Sequence, residues 1–151
     1  AYSLVGDVIK EARLKTKIAR FNRQVTAIEK AWLDYVADHG VNPANDNLVD
    51  NSGSLVQLLV NEGYLDELRK PAIGISWRVY TGYFQAGAPG KRDVTLYVFS
   101  MTDDECIAYN TDRGYLADPT VIPSTNISGV PEICHDNTTK NRLVATIEVD
   151  Y

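Results

Sequence analysis

Two cysteines, Cys106 and Cys134, and two histidines, His39 and His135, are the only thiols and imidazoles in a chain of 151 residues. Their spacing does not suit a metal centre, since there is no CxxC and the histidines lie far apart in sequence. His135 follows Cys134 directly, and a Cys–His neighbour pair could make an activated thiol. The competing use of Cys134 is a disulfide with Cys106, 28 residues upstream. Closing such a loop contributes on the order of 3–4 kcal/mol in the chain-entropy model, and a disulfide would place the protein outside the cytosol. Two free thiols are the remaining alternative. Both cysteines fall in sequence that reads as loop or strand edge, not as buried helix. Asp103, Asp104, Glu105 and Asp112, with Asp118 nearby, offer hard oxygen ligands of the kind that hold Ca²⁺, though in no EF-hand spacing. Solvated loop acids would look the same. There is no GxSxG, no HExxH and no glycine-rich loop between strand and helix, so neither an enzyme nor a bound cofactor is expected. Asn126-Ile127-Ser128 and Asn137-Thr138-Thr139 match the glycosylation sequon. Tyr80, Tyr83, Tyr97, Tyr109 and Tyr115 could form a contact surface or cross-strand packing pairs.

The elements that must position these groups begin with one long helix. From Tyr2 to His39 there is no proline and a single glycine, Gly6. Leu14, Ile18, Phe21, Val25, Ile28, Trp32 and Tyr35 recur at alternating intervals of four and three, which keeps them on one helical face. A helix from Tyr2 to Asp38 would run about 55 Å at ~1.5 Å per residue, against a radius of gyration of about 15 Å for a domain of this size. Part of it must protrude or pack on something outside the chain. Val5, Ile9, Ala12 and Ala19 cluster nearly opposite the long stripe, with Leu4 and Val8 at the margin. The helix is thus expected to carry two faces. One, Ile18, Phe21, Val25, Ile28, Trp32 and Tyr35, is a core face; the other, Val5, Ile9, Ala12 and Ala19, is an assembly face.

Charge follows the same division. The whole chain carries −5, but residues 1–38 carry +2 and the rest −7. Six of the basic residues fall between Lys10 and Arg23, against one acid, Glu11. A basic helix and an acidic body can attract each other between copies, and a basic stretch can also approach an anionic membrane. The acidic head argues against nucleic acid as its partner. No run approaches the ~18 apolar residues of a membrane span, and no signal peptide is visible. Ala1 in place of Met is read as a start other than the native one.

Beyond Gly40 the pattern changes. The helix is expected to end at His39-Gly40, with His39 facing the helix dipole or water. Residues 40–53 are rich in Asn, Asp, Gly and Pro and read as a connecting loop. Ser54 caps a short helix, Leu55–Asn61, closed by Gly63, and Tyr64–Leu68 makes one more turn before Pro71. Ile73, Ile75, Trp77 and Val79 alternate, as do Val94, Leu96 and Val98. Strands over Ile73–Gln85 and Asp93–Met101 are therefore expected to pair as a hairpin about the turn Gly87–Gly90. Glu105–Asn110 is a plausible third strand, residues 111–141 read as loop, and Leu143, Ala145, Ile147 and Val149 mark a last strand. The expected fold is a single α+β domain over 1–151. It comprises a helix spine (1–39), a loop with a short helix (40–72), and an antiparallel sheet of about four strands with a C-terminal loop (73–151).

This order of elements resembles a type IV pilin or pseudopilin lacking the first half of its helix. The resemblance covers essentially the whole chain. Ile18–Pro43 (IARFNRQVTAIEKAWLDYVADHGVNP) is similar to the amphipathic end of pilin helices, and Leu55–Pro71 (LVQLLVNEGYLDELRKP) to the pilin stretch with a short helix, Gly-Tyr-Leu and a proline. Cys106 and Cys134 sit where many type IV pilins bound their C-terminal loop with a disulfide. Asn42-Pro43-Ala44-Asn45-Asp46 is a looser version of the Pro-Gly-Asp of many prepilins. The resemblance implies a subunit of an extracellular pilus for adhesion, motility or DNA uptake. Its partners would be other pilin subunits and, before assembly, the inner membrane through the missing N-terminal segment. A type II secretion pseudopilin, or a minor or tip pilin acting as an adhesin, is the alternative. The cysteine pair favours the pilus, because secretion pseudopilins commonly lack it and often bind calcium there.

Overall fold

The structure, a computed structural model, describes residues 2–39, 54–81, 94–125, 132–136 and 143–149. The connecting loop 40–53, the turn Gly87–Gly90, Tyr83 and both sequons lie outside the described residues.

Helix α1 runs Tyr2–His39 without a break, as expected where no residue interrupts the ladder of backbone hydrogen bonds. Helix α2 covers Ser54–Asn61 and ends at Gly63, whose φ of +82° suits glycine. Residues after Tyr64 bend and then run irregularly; the extra helical turn expected over Tyr64–Leu68 is not formed. The amide of Gln24 holds this segment instead. Its Nε2 donates to the Lys70 carbonyl (3.0 Å) and its Oε1 accepts from the Ala72 N–H (2.8 Å).

Strands β1 (Ser76–Thr81), β2 (Val94–Phe99), β3 (Cys134–Asp136) and β4 (Leu143–Val149) form one antiparallel sheet in the order β1-β2-β4-β3. Long helix and antiparallel sheet together make an α+β fold. The register sets Trp77 opposite Val98, Val98 opposite Ala145 and Ala145 opposite Cys134, one row across all four strands. Trp77, Leu96, Val98 and Cys134 are buried in one cluster with Ile18, Phe21, Val25, Ile28, Trp32 and Tyr35 of α1. Phe21 stacks on Trp77 with ring centroids 5.6 Å apart and meets the edge of Tyr109 at 5.7 Å.

Further expectations are corrected. Glu105–Asn110 is not a strand but the middle of helix α3, Asp103–Arg113. Thr102 and Glu105 form a reciprocal capping box at its start, and Gly114 (φ +73°) closes it in the left-handed conformation. Cys106 therefore lies on the buried side of a helix, and the stretch read as loop over 111–141 contains the end of α3 and strand β3. The strand expected from Ile73 begins only at Ser76. Gly74, at φ +76°, breaks the alternation, so Ile73 is buried while Ile75 stands 63% exposed.

Candidate assembly surface

The long helix has two environments along its length. From Ile18 onward its apolar stripe is inside the core; upstream, every described side chain from Val5 to Lys17 is exposed except half-buried Leu14. Val5 and Ile9 are 62% and 47% exposed, Val8 is comparably open, and Ala12 and Ala19 are also exposed. The residues assigned to an assembly face thus stand in solvent, while Ile18, Phe21, Val25, Ile28, Trp32 and Tyr35 are all buried.

Helix α3 packs beside α1 where the core ends, its start near Lys10 and Lys17 and its end at Asn22, a contact that has no counterpart among the expected elements. The capping box fixes the first turn of α3. Thr102 Oγ1 accepts from the Glu105 N–H (3.1 Å), and Glu105 Oε1 accepts from the Thr102 N–H (3.0 Å). The three acids at the start of α3 suit the positive end of its dipole. Two of them meet α1. Lys10 Nζ lies 2.6 Å from Asp104 Oδ2, and Lys17 Nζ lies 3.9 Å from Glu105 Oε2. The Asp104 hydrogen bond holds the Lys10 ammonium above its usual range. Asp103, Asp104 and Glu105 are therefore helix-start residues rather than a loop cluster, and Asp104 and Glu105 face α1. Among the described residues, no group of three or more His, Cys, Asp or Glu is placed to hold a metal ion.

Two grooves are lined jointly by α1 and α3. One, about 470 Å³, is lined by Leu14, Ile18, Ala19 and Ala108 with Glu11 and Asp112 among its polar residues. The other, about 520 Å³, runs along Ile9, Lys10, Arg13 and Lys17 to Thr102 and Asp104. At the far end of α3, Arg113 donates to Asn22 Oδ1 (2.6 Å), lies 3.3 Å from Glu132 and sits over the Tyr109 ring. Burial of the Tyr109 hydroxyl and Glu132 nearby push its pKa up, although Arg113 works against them.

Cys106 and Cys134 form the disulfide, joining α3 to β3, so the Cys–His thiol pair does not exist. Asn110, one turn along α3 and buried, adds a second fastening to the same strand residue. Its Nδ2 donates to the Cys134 carbonyl (2.9 Å), and its Oδ1 accepts from the Cys134 N–H (2.7 Å). His135 Nδ1 lies 3.1 Å from the Asp136 carbonyl, and burial lowers its pKa. His39 faces neither dipole nor water alone: its ring stacks on Tyr35 at 4.1 Å and meets Tyr64 at 6.1 Å. Tyr64 donates to Asp38 Oδ2 at 2.7 Å, and that bond raises its pKa to about 12. Tyr109 is core and Tyr115 is exposed, so the tyrosines do not make one described surface.

The signal for the missed helix was local: Thr-x-x-Glu at 102–105 and glycine just after Arg113. Asn110 had no sequence signal, because its partners are backbone groups 24 residues away. Among the described residues, no helix is long and apolar enough to cross a membrane. No protein-family model, no curated protein and no solved structure matches this chain.

Proposed function

We propose that the chain is the stem and head of a filament subunit of the type IV pilin kind, assembling through α1 into an extracellular pilus. The observation that carries this is the division of α1. The apolar stripe of its second half is buried in its own core, whereas Val5, Val8 and Ile9 upstream are exposed aliphatics on a continuous helix with no core face of their own beyond half-buried Leu14. A soluble domain gains nothing from this exposure, and exposed aliphatics grouped together mark contact surfaces. The arc Val5, Ile9, Ala12 and Ala19 would be covered by neighbouring subunits. Each contact is worth only a few kcal/mol at ~25 cal/mol per Å² of apolar area. That is too little for a dimer against the cost of association, but it recurs at every subunit of a polymer. The disulfide joining α3 to β3 supports a pilus subunit over a secretion pseudopilin and an oxidising, extracellular setting. The reading assigns the chain no catalytic step and no cofactor, gives it other pilin subunits as partners, and leaves nucleic acid out of the head's contacts. It requires that the complete protein continue upstream of Ala1 as an apolar helix anchored in the inner membrane before assembly.

The test is Ile9→Glu in the complete protein. The expected outcome is a folded head with an unchanged melting temperature and a reduced filament yield. Filaments that assemble normally, or a head that unfolds, would overturn the division of α1. An upstream sequence encoding an unrelated domain would end the pilin reading altogether.

A further inference from the structure

One face of α1 changes sign along its length. Arg13, Arg20, Asp34 and Asp38 fall within about 60° of one another at ~100° per residue, and all four are exposed. The lysines of the basic stretch do not contribute equally. Lys10 and Lys17 are held by Asp104 and Glu105 of α3, whereas Arg13 and Arg20 have no partner among the described residues. At the other end, Asp38 receives the Tyr64 hydroxyl, and Glu62 lies close enough to raise the pKa of Tyr64 further. Lys30 offsets Asp34 at 2.7 Å, which leaves that end acidic overall. The stem presents free guanidiniums, which have a planar fork suited to carboxylates; the head end presents carboxylates on the same helix face.

We infer that this face docks a second copy of the chain, displaced along the helix axis, so that Arg13 and Arg20 of one copy meet Asp34, Asp38 and Glu62 of the next. Two parallel copies in register would set arginine against arginine and aspartate against aspartate. An axial offset of about five helical turns, roughly 27 Å, brings Asp38 level with Arg20 and Asp34 between Arg20 and Arg13. Such a contact uses a different patch on each copy. It therefore does not close on itself and propagates as an open chain. The parallel sense rests on the filament reading above; the pairing of these charges rests on the charge map of α1 alone. Lys10 and Lys17, engaged with α3, serve to hold the stem against the head and not to bind the neighbour.

Sedimentation of the 151-residue chain at high protein concentration tests this. Self-association into an open series of oligomers is expected at ~10 mM salt, weakening at least tenfold by ~1 M, where charges are screened beyond about 3 Å. R13E/R20E and D34K/D38K should each abolish it, and an equimolar mixture of the two should restore it. If a charge reversal unfolds the chain, R13Q/R20Q and D34N/D38N supply the same loss without reversal. Salt-independent behaviour, variants that still associate, or a mixture that stays monomeric would overturn the inference. A closed dimer would also overturn it, because it signifies antiparallel pairing. So would binding of the wild type to phosphatidylserine vesicles in place of self-association. Failure here leaves filament formation by the complete protein as a separate result, and absence of filaments there leaves the salt-dependent contact measurable here.

Discussion

The double fastening of Cys134 to α3 makes a quantitative prediction. Removing the disulfide by Cys106→Ala with Cys134→Ala releases a loop of 28-residue separation. The chain-entropy model gives about 12 cal/mol/K for that closure, or about 3.6 kcal/mol at 25 °C. Alanine is the correct replacement, since both sulfurs are buried and serine would bury a hydroxyl. Asn110→Ala removes two hydrogen bonds in a buried site and leaves the Cys134 N–H and carbonyl unpaired. Each orphaned group costs about 1–3 kcal/mol, so the single variant should lose about 2–6 kcal/mol. The two losses should not add. With the disulfide intact, Cys134 is pinned and its orphaned backbone cannot move out to water. Without it, β3 keeps its pairing with β4 and the Asp136 N–H bond to the Pro123 carbonyl, but Cys134 itself is no longer pinned to α3 and can shift to hydrate those groups. The combined variant should therefore lose less than the sum, by about 0.5–3 kcal/mol, as expected for neighbouring sites. Urea denaturation of all four proteins closes the cycle, with m compared to confirm that the unfolded states remain comparable. An Asn110→Ala loss below about 0.5 kcal/mol, or strict additivity, would refute the idea that one strand residue is clasped twice.

Three further outcomes are expected. Trp32→Ala should cost about 3–5 kcal/mol, because the indole is 1% exposed in the main cluster, whereas Trp32→Phe should cost under about 2 kcal/mol, because Nε1 has no hydrogen-bond partner among the described residues; equilibrium denaturation measures both. Gly74→Ala should lose about 2–4 kcal/mol, since φ is +76° and a Cβ would run into Val98 and lie 2.8 Å from the Phe99 carbonyl oxygen; a melting temperature within a degree of the parent would contradict this. Glu29→Gln should stabilise. Burial, and then Glu132, raise the Glu29 pKa above its ordinary value against the pull of Arg113, so the folded state holds the proton more tightly than the unfolded chain. The resulting stability is present in acid and is lost as pH rises through the folded pKa. The gain from glutamine, under about 1 kcal/mol for this partly screened group, should appear at pH 7 and vanish near pH 3.5 in melting scans.

The sequence made the long helix and its core face legible because seven apolar positions keep a helical period over 22 residues, and no local feature competes with it. The hairpin was legible in outline, but its start was not. Ile73 and Ile75 satisfy a period of two, and only the left-handed backbone of Gly74 reveals that they face opposite ways. Helix α3 failed differently. Cys106, Ile107, Ala108 and Tyr109 form a short apolar run that fits strand or helix equally, and only its caps separate the two. That error reached the candidate assembly surface. With Asp103, Asp104 and Glu105 placed in a loop, all six cations between Lys10 and Arg23 look alike, and each reads as a solvated side chain. Placed at the start of a helix that packs beside α1, Asp104 and Glu105 engage Lys10 and Lys17 and leave Arg13 and Arg20 exposed without a partner among the described residues. Net charge shows that the stem is basic. Only the position of α3 shows which of its charges remain available to another molecule, and these arginines share their helix face with the carboxylates at its opposite end.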